Sequence, residues 1–139
     1  MADFVATHRL THEASMKMLQ AGVAKANEIG VKISLAVVDA SGSLVAFLMM
    51  DGARFFSGRA TIKKAITSAS QKLATGYVAE ERVVSMQIRM DGDFTNVPGG
   101  YPIIVDGQVV GGMGAGGAKE EEDVIVAKAA LAALGLKGA

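Results

Sequence analysis

Tyr101-Pro102-Ile103-Ile104-Val105-Asp106-Gly107-Gln108-Val109-Val110-Gly111-Gly112 is the stretch whose reading decides the fold. Asp-Gly between two β-branched, apolar runs is a two-residue turn that needs positive φ at both positions. The stretch therefore predicts antiparallel strands over 101–105 and 108–112. Upstream, residues 33–39 and 43–50 are again β-branched and aliphatic, and Asp39-Ala40-Ser41-Gly42 supplies the turn of a second hairpin. Both of those strands are apolar at consecutive positions rather than alternate ones. Both faces of the sheet are thus expected to be covered, with a second subunit as one candidate cover.

The hairpins are framed by helical periodicity. Met16, Leu19, Val23, Ala26 and Ile29 recur every three or four residues and predict a helix over 11–29. Thr11 is its N-cap, Glu13 suits its first turn, and Gly30 is a C-cap glycine. Residues 51–58 read as a loop, followed by a helix over 59–74 that Gly76 terminates. This second helix has Ile62, Ala65, Ile66, Ala69 and Leu73 on one stripe and Thr61, Thr67, Ser68 and Ser70 elsewhere. Small side chains all round predict close approach by another backbone. Residues 79–90 form a third helix and 91–100 a loop. The glycine run from Gly111 to Gly117 leads into a last helix over 119–134, opened by Glu120, Glu121, Glu122 and Asp123. The expected class is α+β: an antiparallel sheet of two hairpins packed with about four helices, order α-β-β-α-α-β-β-α, in one domain over 1–139.

Composition narrows the function. Of 139 residues, 50% are hydrophobic and 20% charged, which excludes a disordered chain. Fourteen Lys and Arg balance fourteen Asp and Glu, and aromatics are only 5% with no Trp, so the footprint of a nucleic-acid binder is missing. Cysteine is absent, which excludes disulfides, thiolate catalysis and cysteine-held metal clusters. No apolar run approaches the roughly 20 residues that span a bilayer, and the opening residues lack a signal-like apolar core. The expectation is a soluble, cytoplasmic chain with no membrane or nucleic-acid partner.

Gly112-Met113-Gly114-Ala115-Gly116-Gly117 satisfies G-x-G-x-x-G, but no second parallel strand with a ribose-binding acid follows, and four acidic side chains would repel a pyrophosphate. No nucleotide is expected; the glycines are read as permitting tight packing, or a ligand against bare backbone. His8 and His12 lack a third nitrogen or sulfur ligand, so no structural metal is expected. His12 alone, one helical turn before Met16, is either an exposed polar residue at a helix start or a ligand for iron. Asp91-Gly92-Asp93-Phe94-Thr95-Asn96 lacks the glycine and glutamate of a calcium loop, and no serine sits in a nucleophile elbow. The eight methionines suit a core or a broad apolar pocket.

The order of several motifs resembles the GlcG/HbpS-like family, also known as the haem-degrading or DUF336 domain, which includes the C-terminal domain of PduO. The resemblance rests on Val37-Val38-Asp39-Ala40-Ser41-Gly42-Ser43-Leu44-Val45, Met50-Asp51-Gly52-Ala53, Lys64-Ala65 and Gly99-Gly100-Tyr101-Pro102-Ile103. It continues through Gly107-Gln108-Val109-Val110-Gly111 and the final helix, and so covers nearly the whole chain. It implies a homo-oligomer and, for some members, haem as cofactor, with a histidine near the start of the first helix implicated; His12 matches that position. Met49 stands where the family often has Arg, and Gly114-Ala115-Gly116-Gly117-Ala118 lacks the family's frequent Ser, so polar contacts there differ.

The leading reading is a small-ligand-binding protein for haem or a related tetrapyrrole. His12 would ligate the iron, Met16 and Met50 would form the apolar wall, and Arg54, Lys64 and Arg89 would meet the propionates. The alternative is a cofactor-independent enzyme or sensor for a small organic acid, using Asp51, Lys64 and the backbone N–H groups of Gly99, Gly100 and Gly116. A ligand-free assembly subunit is a third reading, because a crowded helix and doubly apolar strands suit an obligate oligomer.

Overall fold

Helix α1 (His12–Ile29) starts and stops where its caps dictate. Thr11 is extended (φ −89°, ψ 156°) and its hydroxyl accepts the Ala14 N–H at 3.1 Å; Gly30 is left-handed at φ 78°, and Val31 N–H returns to Ala26 O at 2.9 Å. The rest of the computed structural model, which describes residues 2–138, runs β1 (Ser34–Asp39), β2 (Leu44–Met49), α2 (Phe55–Gln71), α3 (Glu80–Arg89), β3 (Gly100–Val105), β4 (Gln108–Gly116) and α4 (Glu120–Ala132). Met1 and Ala139 of the expected 1–139 span lie outside the described residues. The strands form one antiparallel sheet in the order β2-β1-β4-β3. The class is α+β, and the element order is the expected one.

Both hairpin turns follow their chemistry. Asp106 and Gly107 have φ of 50° and 75°. In the first hairpin Asp39 Oδ1 accepts Ser41 N–H at 2.9 Å, Ser41 Oγ–H at 2.8 Å and Ser43 N–H at 3.0 Å. The Ser41 hydroxyl holds the Asp39 carboxyl below its ordinary value; burial opposes it, and the backbone donors of Ser43, Ser41 and Gly42 add to the lowering. Asp39→Ala is therefore expected to lower stability by about 1 kcal/mol at neutral pH. A depressed carboxylate contributes above the unfolded value of 3.8 and loses that contribution as pH falls through the folded one. The wild-type advantage in urea denaturation should vanish at low pH; a gap constant with pH would count against the turn.

The sheet is the middle of three layers. Leu35, Val37, Met113 and Ala115 face α1 and α4, with Met18, Ala26, Val126 and Leu131 in one core. Ala36 and Val38 face α2 and meet Ala65 and Ala69. Here β4 departs from the expected boundary at 112. The glycine run is strand through Gly116, paired Val38↔Gly112, Ala36↔Gly114 and Ser34↔Gly116. Its reason is α2, which lies so close that a Cβ at Gly112 or Gly114 would strike the carbonyl oxygens of Ala65 and Thr61. The backbone predicted to crowd the small-residue helix is this chain's own sheet.

Helix α2 also begins earlier than expected, at Phe55 rather than 59. Gly58 sits inside the first turns, where a Cβ would come 2.9 Å from Phe47 Cζ and 3.2 Å from Met49 Cε, and Ser57 Oγ–H ties back to Arg54 O at 2.6 Å. The helix ends at left-handed Lys72 (φ 61°) rather than running to 74. Thr75 turns instead to β3, giving its N–H to Gly100 O at 3.0 Å and accepting Gly100 N–H at 2.9 Å. β1 is buried on both faces, whereas the edge strand β2 leaves Leu44, Phe47, Leu48 and Met49 partly exposed.

Candidate functional site

Helix α1 carries more apolar surface than the core takes up. Met18, Leu19 and Ala26 are buried, but Met16 stays 53% exposed. Met16, Leu19, Val23 and Ala24, with Leu48 of β2, line an open groove of about 490 Å³ bordered by Gln20 and Asn27. That volume is ligand-sized. His12 is the first residue of α1, one turn before Met16 and on the same side of the helix. Its exposed ring places Nε2 3.2 Å from Glu13 Oε2.

A second cluster gathers at the end of β4, where Lys64 of α2 and Asp123 of α4 meet from opposite faces of the sheet. Lys64, on α2, is 2% exposed. Its Nζ–H groups donate to Ala115 O at 2.9 Å and Asp123 Oδ2 at 3.0 Å, while Asp123 Oδ1 accepts Ala118 N–H at 3.0 Å. Burial pushes the Asp123 carboxyl above its ordinary value, although the Lys64 ammonium and the Ala118 N–H pull the other way. Gly99, Gly100 and Gly116 surround this pair: a Cβ at Gly99 or Gly116 would come 3.0 or 3.2 Å from Lys64 Nζ, and one at Gly100 would strike Lys64 O. Gly100 N–H is bonded to Thr75 Oγ1, and Gly116 pairs with Ser34 in the ladder.

The residues picked from sequence thus fall into separate places. Met16 lines the α1 groove and His12 lies one helical turn before it, outside the lining, whereas Met50 is buried in the core shared by α1 and α4. Lys64, Gly99, Gly100 and Gly116 meet around Asp123. Arg54 is exposed at the start of α2, with Nη2–H 3.4 Å from Gly117 O; Asp51 is exposed in the preceding turn, and Arg89 is exposed at the end of α3. None of Arg54, Lys64 and Arg89 lines the α1 groove. Gln20, Ala24, Asn27 and Leu48 do, and sequence reasoning missed them; Leu19 and Val23 carried a visible signal, an apolar stripe, but its spacing matches an ordinary core face. Among the described residues no cluster of three or more His, Asp or Glu could hold a metal ion, and no helix is long and apolar enough to cross a membrane.

The fold and groove define a class: a small three-layer α+β domain with a ligand-sized apolar groove beside its first helix. The chain belongs to the HbpS-like family, whose model, described as haem degrading protein HbpS-like, matches residues 10–132. It is 27% identical over 133 residues to the corrinoid adenosyltransferase PduO of Citrobacter freundii, covering 92% of this chain but spanning only 40% of that protein. Among solved structures, Klebsiella pneumoniae ORFY, a DUF336 protein, superimposes with a TM-score of 0.89 at 27% identity over 97% of both chains. A PduOC:haem complex superimposes with a TM-score of 0.84 at 28% identity, covering 91% of this chain and 95% of that one.

Proposed function

We propose that this chain binds haem or a related tetrapyrrole in the α1 groove, with His12 as the iron ligand and a second copy of the chain closing the open side. The observation that carries the reading is the placement of an exposed imidazole one helical turn before Met16, which lines the apolar groove. The donor set fits: an imidazole supplies one axial position, and Met16, Leu19, Val23 and Leu48 supply apolar surface for a macrocycle. The His12–Glu13 contact is exposed and worth at most about 1 kcal/mol, so releasing the ring to a metal costs little. Bound haem supplies an iron whose behaviour is set by its axial ligand and by the polarity around it. The likeness to a haem-complexed relative over 91% of the chain supports the assignment.

Self-association is supported by β2, an edge strand with Leu44, Phe47, Leu48 and Met49 on its surface. Hemin titration of the purified protein is expected to produce a Soret band, and His12→Ala to weaken binding at least tenfold while leaving the circular dichroism unchanged. Sedimentation of the same samples should show a species heavier than one chain. An identical spectrum for His12→Ala would remove the ligand assignment, and a monomer that binds hemin fully would remove the second copy.

A further inference from the structure

At the end of the sheet where β1 begins and β4 finishes, Arg54 straddles a cleft that the haem reading leaves unused. Two depressions, of about 430 and 340 Å³, share Arg54, Gly117 and Ala118 and so lie on either side of one side chain. Lys32 and Lys119 stand on the first side; Phe56, Ala60 and Val97 line the second, above Ser57 and the Lys64–Asp123 pair. The Phe56 ring packs against Phe55 at 4.6 Å between centroids, with the Arg59 guanidinium 5.8 Å from its centre. The first half carries three cations, Arg54, Lys32 and Lys119, against the single carboxylate of Glu122, and the second offers the apolar wall of Phe56, Ala60 and Val97.

The nearby acids have partners of their own, and three cations outnumber the one carboxylate, Glu122, on the first side. Glu122 Oε1 accepts Lys119 N–H at 3.0 Å, and Asp123 is held by Lys64 and Ala118. Asp51 is exposed beside Gly52, and among the described residues neither it nor any other carboxylate pairs with Arg54. A guanidinium has five N–H donors, and the one bond to Gly117 O, at 3.4 Å, leaves the fork open. Gly117 keeps the floor bare: a Cβ there would come 3.1 Å from Ser57 Cβ and 3.3 Å from Lys32 O.

We infer that the Arg54 cleft binds a small monocarboxylate with an apolar body. The planar carboxylate pairs with the Arg54 fork between Lys32 and Lys119, a match that Arg makes bidentately. The body lies against Phe56, Ala60 and Val97, which inorganic phosphate has no means of using. The site is separate from the groove at His12. Helix α1 has 18 residues and spans about 27 Å, with His12 at its start and Lys32 just beyond its end. One haem on His12 therefore does not fill this cleft in the same protomer.

Sodium benzoate tests the site, with benzamide as its neutral isostere and inorganic phosphate at matched ionic strength. Benzoate is expected to shift the amide resonances of Gly117, Ala118 and Val97 and to raise the melting temperature; benzamide and phosphate are expected to do neither. Arg54→Gln, at an exposed side chain, should weaken benzoate about tenfold with an unchanged fold, and His12→Ala should leave benzoate binding intact. Equal responses to benzamide or phosphate, wild-type affinity in Arg54→Gln, loss of benzoate binding in His12→Ala, or shifts confined to the Met16–Val23 groove would each overturn the proposal.

Discussion

Lys64→Met is expected to destabilise the protein by about 3–5 kcal/mol at neutral pH, a large part of the stability of a domain this size. The variant keeps the aliphatic bulk of Lys64 but strips the ammonium from a pair whose side chains are only 3% and 4% exposed. Asp123 is then left as a buried carboxylate with one remaining donor, Ala118 N–H, and Ala115 O loses its Nζ–H bond. The cost comes from desolvation of an unpaired charge, so it should depend on pH with a definite sign. Burial already holds the Asp123 carboxyl above its ordinary value, and losing the ammonium raises it further. A raised acid favours the folded state below the unfolded value of 3.8 and loses that contribution as pH rises through the folded one. The deficit of Lys64→Met should therefore shrink as the solution is acidified. The double variant Lys64→Met/Asp123→Asn removes both charges while keeping an acceptor for Ala118 N–H, and should recover more than half the loss. Denaturant midpoints of wild type, Lys64→Met, Asp123→Asn and the double variant at pH 7 and pH 4 measure this. A single variant within about 1 kcal/mol of wild type would mean that the pair is not desolvated.

The same pair shows where sequence reading stops. Asp106-Gly107 and the Thr11 and Gly30 caps act within a few residues of themselves, and the structure places those elements as their residues dictate. Lys64 and Asp123 are 59 residues apart, and from sequence Lys64 reads as a cation for a ligand's carboxylate and Asp123 as an acid favouring a helix N-terminus. No local pattern joins them, because the join is made by stacking α2 and α4 against opposite faces of β4. The α1 groove has a similar origin. Met16 and Val23 fall on the periodicity of a core-facing stripe, and spacing cannot tell which part of a stripe the sheet leaves uncovered. Leu48 completes the groove from the edge of another hairpin. The end of β4 was hidden because glycines carry no strand propensity of their own. Pairing with β1 and the approach of α2 make 113–116 a strand, and both are contacts distant in sequence.

Gly114→Ala makes that approach measurable and is expected to cost about 3 kcal/mol, at the upper end for overpacking by one methyl group. In a strand the exchange would ordinarily help, since glycine loses more backbone freedom on folding by roughly 0.5–1 kcal/mol. Here the added Cβ meets Thr61 O, with Lys64 Cβ at 3.0 Å and Ala65 N at 3.1 Å. Two of these three atoms are helix backbone, so no rotamer change clears them; α2 must move off the sheet or β4 must bend. Trimming a facing side chain gives no relief, and Gly114→Ala/Thr61→Ala should be no more stable than the single variant. Gly22→Ala supplies the contrast. Its Cβ would come 2.7 Å from Leu35 Cδ1 and 2.9 Å from Leu35 Cδ2, the movable end of a side chain, and alanine is the better helix former by about 1 kcal/mol. That variant should lose far less, and Leu35→Val added to it should restore part of the loss. If Gly114→Ala proves no worse than Gly22→Ala in urea denaturation, α2 does not press on bare strand backbone, and the account of the glycine run fails with it.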